Sequence, residues 1–191
     1  MADFSALSSP FALVLVAVLW GMTEKIADLL DEHGLKWFPG ANILFGVLWG
    51  FFLSLLVISQ NFVVASLAFA RLLSYILRYR IDYLNHGIAA VTVLVAFAAN
   101  NVQLAWTAFW YFFAVFAIGG FIHDSLDERP AIKKWLGKHL TAFFEYRGHI
   151  YLFPLIFSAV TGEWLAFAVA TAHMLPYELV RQWYGSKNET E

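Results

Sequence analysis

The feature that most constrains this chain is a succession of apolar runs separated by short polar segments. Seven runs indicate helices, at residues 10–31, 40–58, 62–79, 83–99, 101–122, 146–161 and 163–181. Of the 191 residues, 61% are hydrophobic and only 14% are charged, whereas a soluble domain usually carries about a quarter charged residues. Because one globular core cannot bury so much apolar surface, we expect lipid to solvate much of the chain.

Three tight polar turns group six of these runs into helical hairpins. The turns are SQN at 59–61, NN at 100–101 and TGE at 161–163. Some runs are short, because about 17 helical residues cover roughly 26 Å, slightly less than a typical hydrocarbon core. The sequence therefore predicts an all-α, polytopic membrane protein of about seven transmembrane helices, one helix followed by three hairpins. The number falls towards five if adjacent runs form single helices.

The distribution of charge predicts the orientation of these helices. All twelve Lys and Arg residues lie on or near one side of the arrangement, and the three tight turns on the other side carry none. The positive-inside rule makes the basic side cytoplasmic, with the N-terminus outside and the C-terminus inside. We expect one transmembrane domain over 1–191, with an amphipathic cytoplasmic loop or helix at 123–148 and a polar tail at 182–191. The predicted localisation is an integral, multi-pass protein of an inner or plasma membrane.

Composition also limits the chemistry and the partners. The chain has no cysteine, which excludes disulfides, cysteine-zinc sites and thiolate nucleophiles. Its net charge of −2 gives no basic surface suited to nucleic acid. The expected partners are therefore the lipid bilayer, a lipid substrate, and either a second copy of the chain or other subunits of a membrane complex.

Four carboxylates at the end of the first run form an acidic stripe. Glu24, Asp28, Asp31 and Glu32 are spaced by three and four residues, so they share one side of a helix. Carboxylates at a helix C-terminus oppose the helix dipole and need water, cations or basic neighbours. The stripe is either a solvated helix end or a cation-binding mouth.

The stretch GGFIHDSLDERP, at 119–130, follows the most aromatic run of the chain. His123 and Asp127 are four residues apart, and Asp124 and Asp127 are three apart. On a helix this spacing can present an imidazole and carboxylates to one divalent metal. A solvated helix end has the same pattern, so both interpretations remain open.

Two further clusters carry ionisable residues near the same side. In RYRIDYLNHG, Arg78 lies ahead of His86, and its guanidinium either anchors to lipid phosphates or belongs to a site. His173 lies within the last run, where an ionisable residue marks a candidate functional site unless it is hydrogen-bonded across helices. Pro176 follows it closely and frees a backbone carbonyl in the preceding turn.

Taken in order, these motifs loosely resemble the inner-membrane metal-dependent hydrolase family over about residues 83–181. NHG contains His86, GGFIHDSLDERP stands where that family has an aspartate motif, EYRGHIYLFP where it has a His-Arg-Gly motif, and TAHMLPYE at its last motif. The chain departs from the family pattern because no proline precedes Asp124 and Tyr146 replaces a histidine. The spacing after His173 also differs. These departures indicate an altered metal site or a non-catalytic relative.

The resemblance implies a membrane-embedded, metal-dependent hydrolase that acts at the cytoplasmic leaflet on a phosphate-bearing lipid. The cofactor would be a divalent metal, and its implied ligands are His86, Asp124, Asp127, His149 and His173. Glu178 or Glu145 would serve as a base or support the ligands. A substrate phosphate would pair with Arg147 together with Arg78 or Arg129.

Two other classes of function remain open from the sequence. The acidic stripe and His173 would also suit an ion or small-molecule channel or carrier, although few polar residues lie deep in the runs. Aromatic runs such as WTAFWYFFAVF would suit a non-catalytic accessory subunit of a membrane complex. A haem held by His86 and His149, which both open runs, is a variant of that alternative.

Overall fold

The computed structural model describes residues 9–188, apart from the side chains at 127–128 and 186–188. These residues form eight helices and no strand. The helices are α1 (Pro10–Asp31), α2 (Ala41–Val57), α3 (Phe62–Leu77), α4 (Leu84–Ala99), α5 (Trp106–Glu128), α6 (Pro130–Glu145), α7 (His149–Thr161) and α8 (Trp164–Asn188). The prediction of an all-helical chain is confirmed.

The start of α5 differs from the predicted run, which began at residue 101. Asn101 has a φ of 46°, a left-handed conformation that asparagine tolerates better than most residues, so the helix cannot begin there. The Ser66 hydroxyl then donates to the Ala105 carbonyl at 3.2 Å, which holds the intervening segment beside α3. The helix therefore begins at Trp106.

The segment predicted as a loop or helix at 123–148 is divided between two helices. α5 continues to Glu128 and ends there because Arg129 precedes a proline and adopts an extended conformation (φ −135°, ψ 92°). Pro130 then opens α6, which is interrupted at Gly137 and buries none of its residues. At the other end of the chain α8 continues to Asn188, so the start of the predicted tail is helical.

Of the three predicted hairpins, only α7–α8 packs extensively within itself, whereas the helices of the other two pack mainly against each other's helices. α1 lies against α2 and α8, α2 packs on α4, α3 on α5, and α7 on α8, whereas the consecutive helices α4 and α5 pack little against each other. The hairpins α2–α3 and α4–α5 thus lie side by side. Their shared core includes the fully buried rings of Trp20, Trp49, Phe112 and Phe116.

Two glycines allow α2 and α4 to approach at backbone contact distance. A Cβ atom on Gly46 would lie 2.9 Å from the Asn85 Cα, and one on Gly50 would lie 2.7 Å from the Ala89 Cα. Their four-residue spacing puts both on one side of α2, as in other small-residue helix contacts. This contact fixes the position of the first turn of α4, which carries His86.

One helix in the described part of the chain is long and apolar enough to cross a membrane. It is α5, over Trp106–Leu126, and only 33% of its most apolar window is buried. Four other helices, α2, α3, α4 and α7, are apolar but have at most 17 residues.

We predict that Gly50→Ala destabilises the protein and that Gly87→Ala does not. The first adds a methyl group against backbone, and overpacking of this kind costs about 1–3 kcal/mol. At Gly87 the nearest atom to an added Cβ is a side-chain methyl at 3.9 Å, so this variant is a matched control on the same pair of helices. Thermal unfolding measures both, and equal melting temperatures would contradict the close α2–α4 contact.

Candidate functional site

A cavity of about 390 Å³ lies where the polar ends of five helices meet the middle of a sixth. Its lining comes from the ends of α1, α3 and α5, the starts of α4 and α7, and the middle of α8. His86 lies among carboxylates, which form an acidic cluster of Glu24, Asp28, Glu32 and Asp82. His149 lies among a basic cluster of Arg71, Arg78, Arg147 and His123. One cavity therefore brings together groups suited to a cation and groups suited to an anion.

Two carboxylates of the acidic cluster converge with His86 as a candidate metal site. The Nε2 atom of His86 lies 3.1 Å from an Asp28 carboxylate oxygen and 3.5 Å from a Glu32 carboxylate oxygen. One ligand atom from each residue lies within 4.8 Å of the others. Imidazole and carboxylate donors are a common set for divalent transition metals. This triad of Asp28, Glu32 and His86 could hold one such ion.

The surroundings of the triad orient its ligand atoms. The second oxygen of Asp28 accepts a hydrogen bond from the Tyr177 hydroxyl at 2.9 Å. The Nδ1 atom of His86 lies 3.4 Å from Asp82, which leaves Nε2 directed towards the carboxylates. Polar partners that fix ligand orientation in this way are usual around metal ligands.

Asp31 holds the start of α4 beside the end of α1, which brings His86 close to the carboxylates of α1. Its two carboxylate oxygens accept from the Asn42 side chain at 2.7 Å and from the Asn85 backbone amide at 3.1 Å. The second bond satisfies an amide at the start of α4 and places a negative charge at the positive end of its dipole. Asp31 thereby ties the end of α1 to the first turns of α2 and α4.

The electrostatics of the triad favour a bound cation. Burial, together with the negative charge of Asp28, raises the pKa of Glu32 above its ordinary value. A cation between the two carboxylates would relieve both the repulsion and the loss of hydration.

The two glycines of GGFIHDSLDERP have a structural role in the cavity. The His149 ring lies directly against Gly119, and the Arg78 guanidinium lies directly against Gly120, where a Cβ would overlap either group. Asp124, one turn later, binds Arg78 at 2.6 Å and Arg80 at 2.8 Å. This stretch of α5 therefore positions the basic cluster.

The pairing with Asp124 acts differently on the two arginines. Burial lowers the pKa of Arg78, and the charge of Asp124 opposes that shift. The hydrogen bond with Asp124 raises the pKa of Arg80. Both guanidinium groups remain charged at neutral pH. Asp124, which the sequence suggested as a metal ligand, has its described ion pairs with these arginines and not with the triad.

His173, another suggested ligand, belongs to a buried network behind the cavity. Its Nε2 atom lies 2.9 Å from a Glu24 carboxylate oxygen, and its ring stacks on Trp20 with centroids 3.6 Å apart. The other oxygen of Glu24 accepts from the Tyr75 hydroxyl at 2.7 Å, which in turn accepts from Arg71 at 2.7 Å. Glu24 lines the cavity, but His173 does not.

The other suggested site residues are distributed as follows. Arg129 is exposed between α5 and α6. Glu145 pairs with Lys133 and Glu178 pairs with Arg181, each at 2.7 Å, and neither glutamate lines the cavity. The side chain of Asp127 lies outside the described residues. The cavity does contain His86, Asp124, His149, Arg78 and Arg147.

Several cavity residues were not chosen from the sequence. The sequence predicts the acidic stripe as a candidate cation-binding mouth, but it does not show that Asp28 and Glu32 share a site with His86. The four-residue spacing of Asp28 and Glu32 was the available signal, because it places both carboxylates on one side of a helix. Arg71 gave no such signal, because it is the one charged residue of the apolar helix α3, whereas Tyr177 lies within TAHMLPYE beside residues that carry a clearer signal.

Comparison with known proteins gives no family for this chain. No family model matches it, and no curated protein or solved structure matches it either.

We predict that His173→Phe destabilises the protein without changing the amount of divalent metal that it binds. Phenylalanine keeps the stacking on Trp20 but deprives the buried Glu24 of one of its two hydrogen-bond partners, and a buried polar group left without a partner costs about 1–3 kcal/mol. As a control, Glu145→Gln breaks a half-exposed pair and should cost less than about 1 kcal/mol. Chemical denaturation and elemental analysis measure the two effects. Unchanged stability with lost metal would instead assign His173 as a ligand.

Proposed function

We propose that this chain is a multi-pass membrane protein, a metal-dependent hydrolase that acts on a phosphate-bearing lipid at the cytoplasmic leaflet. The observation that carries the proposal is the presence, in one cavity, of the Asp28–Glu32–His86 triad and a basic cluster. The motif resemblance points to the same class of enzyme.

The exposed apolar surface supports a membrane location. A core helix of a soluble protein is mostly buried, whereas α5 exposes Trp106, Trp110, Ile118 and Phe121, each at 59–64%. Large apolar side chains are also exposed on α2, α4 and α7, which contain no Asp, Glu, Lys or Arg. So much contiguous apolar surface is unusual in water but stable in lipid.

The distribution of basic residues supports the orientation. The cavity is formed by helix ends on the side that carries the lysines and arginines, which the positive-inside rule makes cytoplasmic. α6 adds Lys133, Lys134 and Lys138 together with Trp135, which is 84% exposed. A helix of this composition suits the anionic surface of a cytoplasmic leaflet.

The chemistry follows from the arrangement of the cavity. A divalent cation held by Asp28, Glu32 and His86 would supply Lewis-acid polarisation and a more acidic water. Asp82, another member of the acidic cluster, orients the His86 ring. The basic cluster attracts the phosphate of a lipid that enters from the bilayer. Glu24, Asp28 and Arg71 are buried, which strengthens their interactions because water is partly excluded.

We predict one divalent ion per chain, bound by the triad. Glu32→Gln and His86→Gln each remove a ligand and should weaken binding by more than about 100-fold, the upper end of the effect of changing groups that only support ligands. Glu163→Gln, on the exposed turn between α7 and α8, is the matched control. Elemental analysis after incubation with Mn²⁺ or Zn²⁺ measures the stoichiometry. Equal metal content in all four proteins would remove the triad as the site.

We also predict metal-dependent release of inorganic phosphate from a short-chain phosphatidic acid presented in detergent micelles. The activity should disappear with a chelator and in Glu32→Gln, because hydrolysis of the phosphate ester needs the cation. The Glu163→Gln protein should retain it. A folded, metal-loaded protein that releases no phosphate from phosphatidic acid or related phosphate-bearing lipids would contradict the hydrolase proposal.

A further inference from the structure

Three side chains at the basic end of the cavity, two of them buried and one half-buried, lack the direct carboxylate partner that their neighbours have. They are Arg71 on α3, Arg147 before α7 and His149 at the start of α7, and all three line the cavity. Arg71 is only 3% exposed and His149 only 1%. An isolated charge at such a depth is costly unless something neutralises it.

The other cations of the cavity are directly paired. Lys25 pairs with Asp28, both Arg78 and Arg80 with Asp124, and Arg181 with Glu178. Within the described part of the chain, Arg71 and Arg147 form no direct ion pair with a carboxylate. The contrast separates these two guanidinium groups from the rest.

The hydrogen bonds of Arg71 and Arg147 use only some of their N–H donors. Arg71 donates to the Tyr75 hydroxyl, but its Nε has no hydrogen-bond partner within the described chain. The nearest carboxylate along that network, Glu24, is reached through Tyr75 and is shared with His173. Arg147 donates from Nε to the His123 ring at 3.2 Å. Both guanidinium groups therefore keep N–H groups that could meet a ligand.

His149 gives the second, independent indication of a ligand. Neither of its ring nitrogens has a hydrogen-bond partner within the described chain, although the ring is almost completely buried. Buried imidazoles normally hydrogen-bond, and each unsatisfied polar group needs an explanation. Around it lie the positive charges of Arg71, Arg147 and Arg78. The surrounding positive charges favour an anion that accepts hydrogen bonds as a ligand at this position.

The groups are held in place before any ligand binds. The Arg71 guanidinium lies over the rings of Tyr75 and Phe116, at 4.6 and 5.4 Å from their centroids. Arg147 lies over the Tyr177 ring at 4.8 Å. Aromatic contacts on the faces of a guanidinium leave its N–H edges available for an oxyanion. Preorganised donors of this kind bind with little loss of side-chain entropy.

We propose that Arg71, Arg147 and His149 form an oxyanion site that binds a phosphate group. Two guanidinium groups and one imidazole N–H offer enough donors for several oxygens of one phosphate, and guanidinium groups bind phosphate through paired hydrogen bonds. The assignment differs from the sequence-based one, because Arg78 is already in a direct ion pair with Asp124 and Arg129 lies outside the cavity. It rests on the proposed function only in taking this phosphate to be that of the hydrolysed substrate. Binding of the anion itself does not require the metal.

The test is a phosphate titration of the metal-free full chain. Protein in neutral detergent with EDTA is titrated with inorganic phosphate in one arm and with dioctanoyl phosphatidic acid in the other, by equilibrium dialysis or calorimetry. We expect saturable binding of one phosphate group per chain. Binding of both probes shows that the phosphate alone is sufficient, and binding of the lipid alone identifies a headgroup site. Absence of saturable binding of either probe at millimolar concentration would overturn the proposal.

Variants assign the binding to these residues. Arg147→Gln and His149→Phe should each weaken phosphate binding by about tenfold or more, the effect of losing a charge-assisted or buried hydrogen bond. Arg129→Gln, an exposed arginine, should bind as the wild type does. If a variant fails to fold, Gly119→Ala displaces the His149 ring without removing a cation and should weaken binding in the same direction. Wild-type affinity in the folded Arg147→Gln or Gly119→Ala protein would contradict the assignment.

The metal site and the phosphate site can fail separately. Glu32→Gln should abolish metal binding and leave phosphate binding in EDTA unchanged. Lost phosphate binding with an intact metal site overturns this inference alone. Intact phosphate binding in a protein that binds no metal overturns the hydrolase proposal alone.

Discussion

The structure depends on the carboxylates of α1, each of which is satisfied by residues of other helices. Glu24 binds His173 of α8 and Tyr75 of α3, Asp28 binds His86 of α4 and Tyr177 of α8, and Asp31 binds the starts of α2 and α4. A buried carboxylate without partners would cost several kcal/mol, more than a marginally stable fold tolerates. The acidic stripe therefore specifies which helices surround α1 and at which position along α1 each of them packs. The apolar contacts alone are less selective, because most apolar side chains of similar size are interchangeable.

The same requirement produces the cavity. Polar side chains at helix ends cannot all be buried against apolar neighbours, so they meet each other and enclose a polar space. Its charges are sorted: carboxylates surround His86, and arginines surround His149. A cation site beside an anion site is the arrangement that phosphate chemistry needs, because the substrate is negative and its reaction benefits from a Lewis acid. Stability and proposed chemistry thus draw on the same residues.

The helices could be predicted from the sequence, whereas much of the site could not. Apolar runs and tight turns were sufficient to locate seven helices, and the errors fell where single residues decide, at Asn101 and at Arg129 before Pro130. The acidic stripe showed its spacing, but its partner His86 lies 58 positions from Asp28 and nothing local links them. Gly119 and Gly120 stood in the sequence beside the residues first suspected of binding metal. Their role in making room for His149 and Arg78 depends on packing between helices, which periodicity does not reveal.

Anomalous diffraction from crystals grown with Mn²⁺ would test the central claim most directly, since it locates the ion without reference to activity. The account predicts one strong peak between the side chains of Asp28, Glu32 and His86, at coordination distance from one atom of each. A peak at Asp124 or His173, with none at the triad, would contradict it.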